Sequence, residues 1–119
     1  MKYNWLVVAF LQGIWNISNR SDPVFTIKKD IITTHAESAI FTMKPTWREQ
    51  QVFLSDLTIL KKPSDWMNLF KYRQKVHYYH QIKEHGLLLN ISFLNDSCIR
   101  IQTKLLDENL DFLMERKSL

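Results

Sequence analysis

From Gly13 onward, hydrophobic and polar positions alternate with a period of two, in runs of strand length parted by polar turns every eight to twelve residues. Gly13, Trp15 and Ile17 alternate with Ile14, Asn16 and Ser18. After the turn signal Asn19-Arg20-Ser21-Asp22-Pro23, Phe25 and Ile27 alternate with Thr26 and Lys28. β-Branched runs follow at 31–34 and 39–43, broken by His35-Ala36-Glu37-Ser38 and ended by Pro45, and 51–60 gives a fifth strand. In the interval 61–70, Ser64 stands as an N-cap with Trp66, Leu69 and Phe70 at helical spacing, which predicts a helical turn or lid near 64–70. The segment 72–82 reads as a long strand with Tyr72, Gln74, Val76, Tyr78, His80 and Ile82 on one face and Arg73, Lys75, His77, Tyr79 and Gln81 on the other. Runs at 87–93, 98–105 and 110–117 complete the set. The apolar stretch Trp5 to Leu11 is a short helical or extended lead-in packed against the domain.

Eight or nine short antiparallel strands either stack as a sandwich or close on themselves, and closure removes the exposed edges that invite aggregation. The expectation is a single all-β domain over 1–119, a small antiparallel meander barrel with a short helical lead-in. With 119 residues, 45% apolar, the chain is long enough for one packed core and too short for two ordinary domains. Cys98 is the only cysteine, so no internal disulfide holds the fold, and it reads as a buried small hydrophobe in a reducing compartment. Lys2 and the apolar run after it imitate a short signal peptide. There is no small-x-small cleavage site, however, and the run falls far short of the roughly 20 residues needed to span a bilayer. A cytoplasmic protein with no membrane span is expected, and the sequons at Asn16, Asn19, Asn90 and Asn95 are read as coincidence.

Gly13-Ile14-Trp15 on a first strand, just after an apolar lead-in, resembles the opening motif of the calycin superfamily, the lipocalin-like barrels. The closing segments resemble the last strands of bacterial lipocalin-like domains: Leu89 to Phe93, the turn at Asn95-Asp96, Ile99-Arg100-Ile101 and Phe112 to Arg116. The resemblance implies that a late-strand basic residue packs over Trp15 and closes the barrel floor, a role that falls to Arg116 or to Arg100, with Gly13 beside it. A cation over an indole face contributes about 0.5–2 kcal/mol depending on burial. The chain is short for that family, lacks a Thr-Asp-Tyr-type second motif, and carries an insertion at 63–70 without counterpart.

Candidate chemistry is sparse. The net charge of +4 is scattered as pairs, and the nearest approach to a basic patch, Lys71, Arg73 and Lys75 beside Tyr72, reads as a solvated strand face, so nucleic-acid binding is not expected. His35, His77, His80 and His85 show no spacing that places two ligands on one strand face, so no metal or other cofactor is expected. With no nucleophile elbow, phosphate loop or paired lumen carboxylates, the chain does not read as an enzyme.

Phe25, Ile27, Phe41, Met43, Trp47, Phe53, Phe93 and Met114 are the expected interior. Whether they fill the barrel or leave a cavity separates two readings of function. In one, the lumen takes a small hydrophobic ligand, with Phe25, Phe41, Phe53, Trp66, Phe70, Tyr72, Tyr78 and His80 as binding residues and Trp66 and Phe70 near the entrance. In the other, the barrel is filled, and an exposed aromatic patch around Trp5, Trp47 or Trp66 engages a protein partner or a second copy of the chain.

Overall fold

A computed structural model describes residues 5–20, 23–36 and 38–117, with the side chains of Trp5 and Leu6 left aside. Lys2, Ser21, Asp22, Glu37 and the Trp5 side chain, all invoked above, lie outside the described part. The strands are β1 (Gly13–Ile17), β2 (Val24–Ile27), β3 (Ile32–Ala36), β4 (Ala39–Arg48), β5 (Gln51–Lys61), β6 (Leu87–Asn95), β7 (Cys98–Leu105) and β8 (Glu108–Arg116). Each pairs antiparallel with the next, and β8 returns to β1 with Trp15 opposite Arg116, so the sheet is a closed eight-stranded meander barrel. The described residues also form three helices, α1 (Trp5–Leu11), α2 (Trp66–Gln74) and α3 (Val76–His85).

Alternation decides what faces inward. Along β4, Ala39, Phe41, Met43, Pro45 and Trp47 are buried and their neighbours are not. β5 begins the same way with Val52 and Leu54 inward. A bulge with Asp56 in the left-handed region then resets the parity, so that Leu57 is the next buried residue. Phe53, expected inside, points outward and is partly exposed, because it stands between the inward-facing Val52 and Leu54 and alternation puts it on the opposite face.

The expected strand over 72–82 is instead helical. Leu69, Tyr72, Val76, Tyr79 and Ile82 recur every three or four residues, and they are the buried or half-buried positions of this segment that the helices turn toward the barrel. Lys, Arg, Gln and Leu between them favour helix over strand. The N-cap is Asp65 rather than Ser64. Its carboxylate accepts from the Asn68 backbone N–H at 3.1 Å and from the Asn68 side chain at 3.0 Å. These bonds, the side-chain one foremost, hold the Asp65 carboxyl below its ordinary value. α3 ends where the Gly86 N–H reaches Ile82 O at 2.8 Å. Gly86 has φ 74°, and a Cβ there would stand 2.2 Å from the Phe53 ring, so glycine is needed on both counts.

Successive strands reverse direction, so the β1–β2, β3–β4 and β7–β8 turns gather with α2 and α3 at one end, the mouth. The β2–β3, β4–β5 and β6–β7 turns gather with α1 at the other, the floor. β5 pairs with β6 only over Gln51–Leu54, and α3 packs against β5, covering the side of the mouth where the sheet is not zipped.

Candidate functional site

The floor is sealed. Trp15 is fully buried on β1 and donates its indole N–H to Leu11 O at 2.9 Å, tying the strand to the end of α1. Val8 and Leu11 are buried beneath the barrel, and Phe10 meets Phe93 edge-on with centroids 5.1 Å apart. The Arg116 guanidinium lies 4.5 Å from the Trp15 ring centre and 5.1 Å from that of Phe10. It donates to Gln12 O at 2.8 Å and to Phe10 O. One side chain thus satisfies two carbonyls at the end of a short helix and stacks on two rings. Gly13 has φ 133°, and a Cβ there would come within 3.0 Å of Arg116 Nη1. Arg100, the other candidate for this role, stands on the exposed face of β7 and forms a bidentate pair with Asp111. That pair lowers the Asp111 pKa and raises that of Arg100. Trp47, far from being an exposed patch, is buried and donates to Lys29 O at 2.8 Å, closing another part of the floor.

Above the floor the barrel holds a cavity of about 310 Å³. Its lower wall is apolar, with Leu11, Val52, Ile99 and Met114 among the side chains, and Phe25 and Phe41 line it higher up. Of the other expected contacts, Tyr72 is buried between helix and barrel without reaching the cavity. Tyr78, His80, Phe53, Trp66 and Phe70 lie away from it, and His80 is exposed. In their place α3 supplies Tyr79, whose ring meets Phe41 at 5.1 Å and Tyr72 at 5.5 Å, together with Ile82 and Lys75. A helical reading of the sequence brings 75, 79 and 82 onto one face; the strand reading split them.

Polar groups reach the cavity at a few places. Arg20 from the β1–β2 turn and Lys75 from the α2–α3 junction both line the mouth end, and among the described residues no lining side chain is Asp or Glu. Thr103 on β7 lines the wall and donates to Leu88 O at 2.7 Å. Thr34 on β3, across the register from Phe25 and Phe41, differs: it is 2% exposed, lines the cavity, and its hydroxyl has no hydrogen-bond partner among the described residues. Leaving such a group unsatisfied costs about 1–3 kcal/mol.

The cap over the mouth is tethered where the Asn68 side chain donates to Ser38 Oγ of the β3–β4 turn at 3.0 Å. On its outer side Trp66 and Phe70 stack, with ring centroids 6.2 Å apart, and are 79% and 56% exposed. Among the described residues no three His, Cys, Asp or Glu side chains group to hold a metal ion, and Cys98 is half-buried at the start of β7. No described helix is long and apolar enough to cross a membrane.

No family model matches this chain, and no curated protein matches it. Among solved structures it is similar to one described as the NMR structure of the protein from Burkholderia xenovorans. The TM-score is 0.56 at 7% sequence identity, and the match covers 100% of this chain and 92% of that one. A likeness at that identity extends to the fold alone.

Proposed function

We propose that this protein binds one small, mostly apolar ligand in the barrel lumen without transforming it, as a lipocalin-like carrier in the cytoplasm. The observation that carries the reading is the 310 Å³ apolar cavity with the unpartnered Thr34 hydroxyl buried in its wall. Ligand pockets are concave, chiefly apolar, from about 300 Å³ upward, with a few polar groups that fix orientation. Thr34 supplies one such group midway down, and Arg20 and Lys75 supply others at the mouth. A ligand with its apolar part toward the floor and a polar or anionic end toward the mouth matches this gradient. The cavity supports this reading over a module whose interior is merely filled.

The experiment is a titration of dodecanoate and dodecanol followed by intrinsic tryptophan fluorescence, since Trp47 lines the cavity. The native protein saturates at one ligand per chain. Ala36→Phe, which projects a ring into the lumen from the mouth end of β3, abolishes binding while melting stays cooperative. A Tyr78→Ala, His80→Ala variant, altered outside the lumen, binds as the native protein does. Absence of saturable binding to the native protein, or full binding by the Ala36→Phe variant, refutes a lumen site.

A further inference from the structure

The outer face of the cap is built unlike the rest of the surface. α2 turns Tyr72 inward and leaves Trp66, Met67 and Phe70 at 79%, 64% and 56% exposure, with Leu60 at the end of β5 also exposed. At 100° per residue, Trp66, Met67 and Phe70 share one side of the helix, and Lys71 and Arg73 flank them on that same side. Lys61 and Lys62 precede the helix. Between residues 60 and 75 the chain carries five basic side chains and one acid, Asp65, whose carboxylate is engaged in capping α2. Several large apolar side chains in one exposed patch mark a surface that meets something other than water.

We infer that this face docks on an anionic lipid bilayer surface, with Trp66, Met67 and Phe70 entering the headgroup boundary and Lys61, Lys62, Lys71 and Arg73 resting on the phosphates. The choice of occupant follows from charge. A second copy of the chain set on the same face would bring basic rim against basic rim, whereas a bilayer bearing acidic headgroups complements both the apolar centre and the cationic border. A side chain such as Trp66, with a broad apolar ring and one N–H, is suited to that boundary. The patch carries this docking face whether or not the lumen takes a ligand. If both are right, the mouth faces the membrane, and an apolar ligand passes between bilayer and barrel with little exposure to water.

The test is co-sedimentation of the full chain with vesicles of phosphatidylcholine alone and of phosphatidylcholine containing one third phosphatidylglycerol. The native protein pellets with the anionic vesicles and far less with the neutral ones, and raised salt releases it. Trp66→Ser with Phe70→Ser weakens binding about a hundredfold, and Lys71→Gln with Arg73→Gln weakens it about tenfold. All four positions are exposed, so the fold is kept, and unchanged thermal melts check this. The lumen-blocked Ala36→Phe variant still pellets, which separates failure of this proposal from failure of the ligand reading. Equal pelleting with both kinds of vesicle overturns the inference. So does unchanged binding by the double serine variant, or self-association or protein capture through Trp66 and Phe70 with no vesicle binding.

Discussion

The two ends of the barrel are closed by helices in opposite ways. At the floor, seven residues of α1 are held by one indole, one guanidinium and a set of packed rings, and the carbonyls of Phe10, Leu11 and Gln12 all have donors. At the mouth, two longer helices lie over an incompletely zipped seam. An exposed Asn68–Ser38 bond ties them to the β3–β4 turn, and they turn large apolar side chains outward. The floor consumes its polar groups in making structure. The mouth and the wall beneath it turn polar groups toward the cavity: a buried hydroxyl with no partner among the described residues, and the side chains of Arg20 and Lys75. Polar groups at the floor thus serve structure, and the groups proposed to bind lie toward the mouth, a division that substitutions at each end can break.

The largest effect is expected from Trp15→Ala, which removes a fully buried indole from the floor and should cost about 3–5 kcal/mol, read as a fall in the urea midpoint. Arg116→Met comes next. It leaves the Gln12 and Phe10 carbonyls without their donor and removes the cation from two rings, at about 2–4 kcal/mol, with loss of amide protection confined first to α1. Arg116→Lys should restore part of this and not all, because a single ammonium cannot reproduce the fork. Thr34→Val has the opposite sign. With no bond to lose, the ligand-free protein gains about 1 kcal/mol, while affinity for a ligand that reaches the hydroxyl declines.

The smallest effects belong to the cap. Asn68→Ala releases the tether to Ser38 and speeds amide exchange in α2, with global stability within about 0.5 kcal/mol of native. Because hydrogen bonds from Asn68 depress the Asp65 pKa in the folded protein, its contribution is present above the ordinary carboxyl value of 3.8. It fades as the pH falls through the lower folded value. Amide protection in α2, taken relative to intrinsic exchange at the same pH, should therefore fall on acidification into that range before the barrel strands respond, and Asp65→Asn should remove the step.

Much of the barrel was legible because alternation is a strong signal when one face is buried. The eight strands that periodicity predicts outside 72–82 reproduce the observed meander, the main departure being β4, which runs through Pro45 to Arg48 instead of ending at the proline. The pairing of Trp15 with a late-strand cation was an implication of the resemblance to lipocalin-like barrels, which left Arg116 and Arg100 as alternatives; the β1–β8 register, with Trp15 opposite Arg116, selects Arg116. The helical lead-in and the helical turn near 64–70 were legible, the latter from Trp66, Leu69 and Phe70, but the helical course of 72–82 was missed because Tyr78 and His80 alternate with His77 and Tyr79, imitating a strand, while the sparser repeat at 69, 72, 76, 79 and 82 carried the true period. Phe53 was misplaced because a run such as Val52-Phe53-Leu54 is apolar at both parities, and the bulge at Asp56 has no strong signal of its own. The cavity was not legible at all: it depends on whether inward side chains fit together, and adjacent Thr33 and Thr34 do not announce which of them faces the lumen.

The central claim is that the lumen receives a ligand through the capped end, and methyl-resolved NMR during titration with dodecanoate tests it most directly. Saturable shifts are expected in the methyl groups of Ile27, Ile32, Met43 and Met114, which line the cavity, with slowed exchange at the α2 and α3 amides that cover the mouth. Shifts confined to Met67 on the outer face, with the lumen methyl groups unmoved, would contradict it.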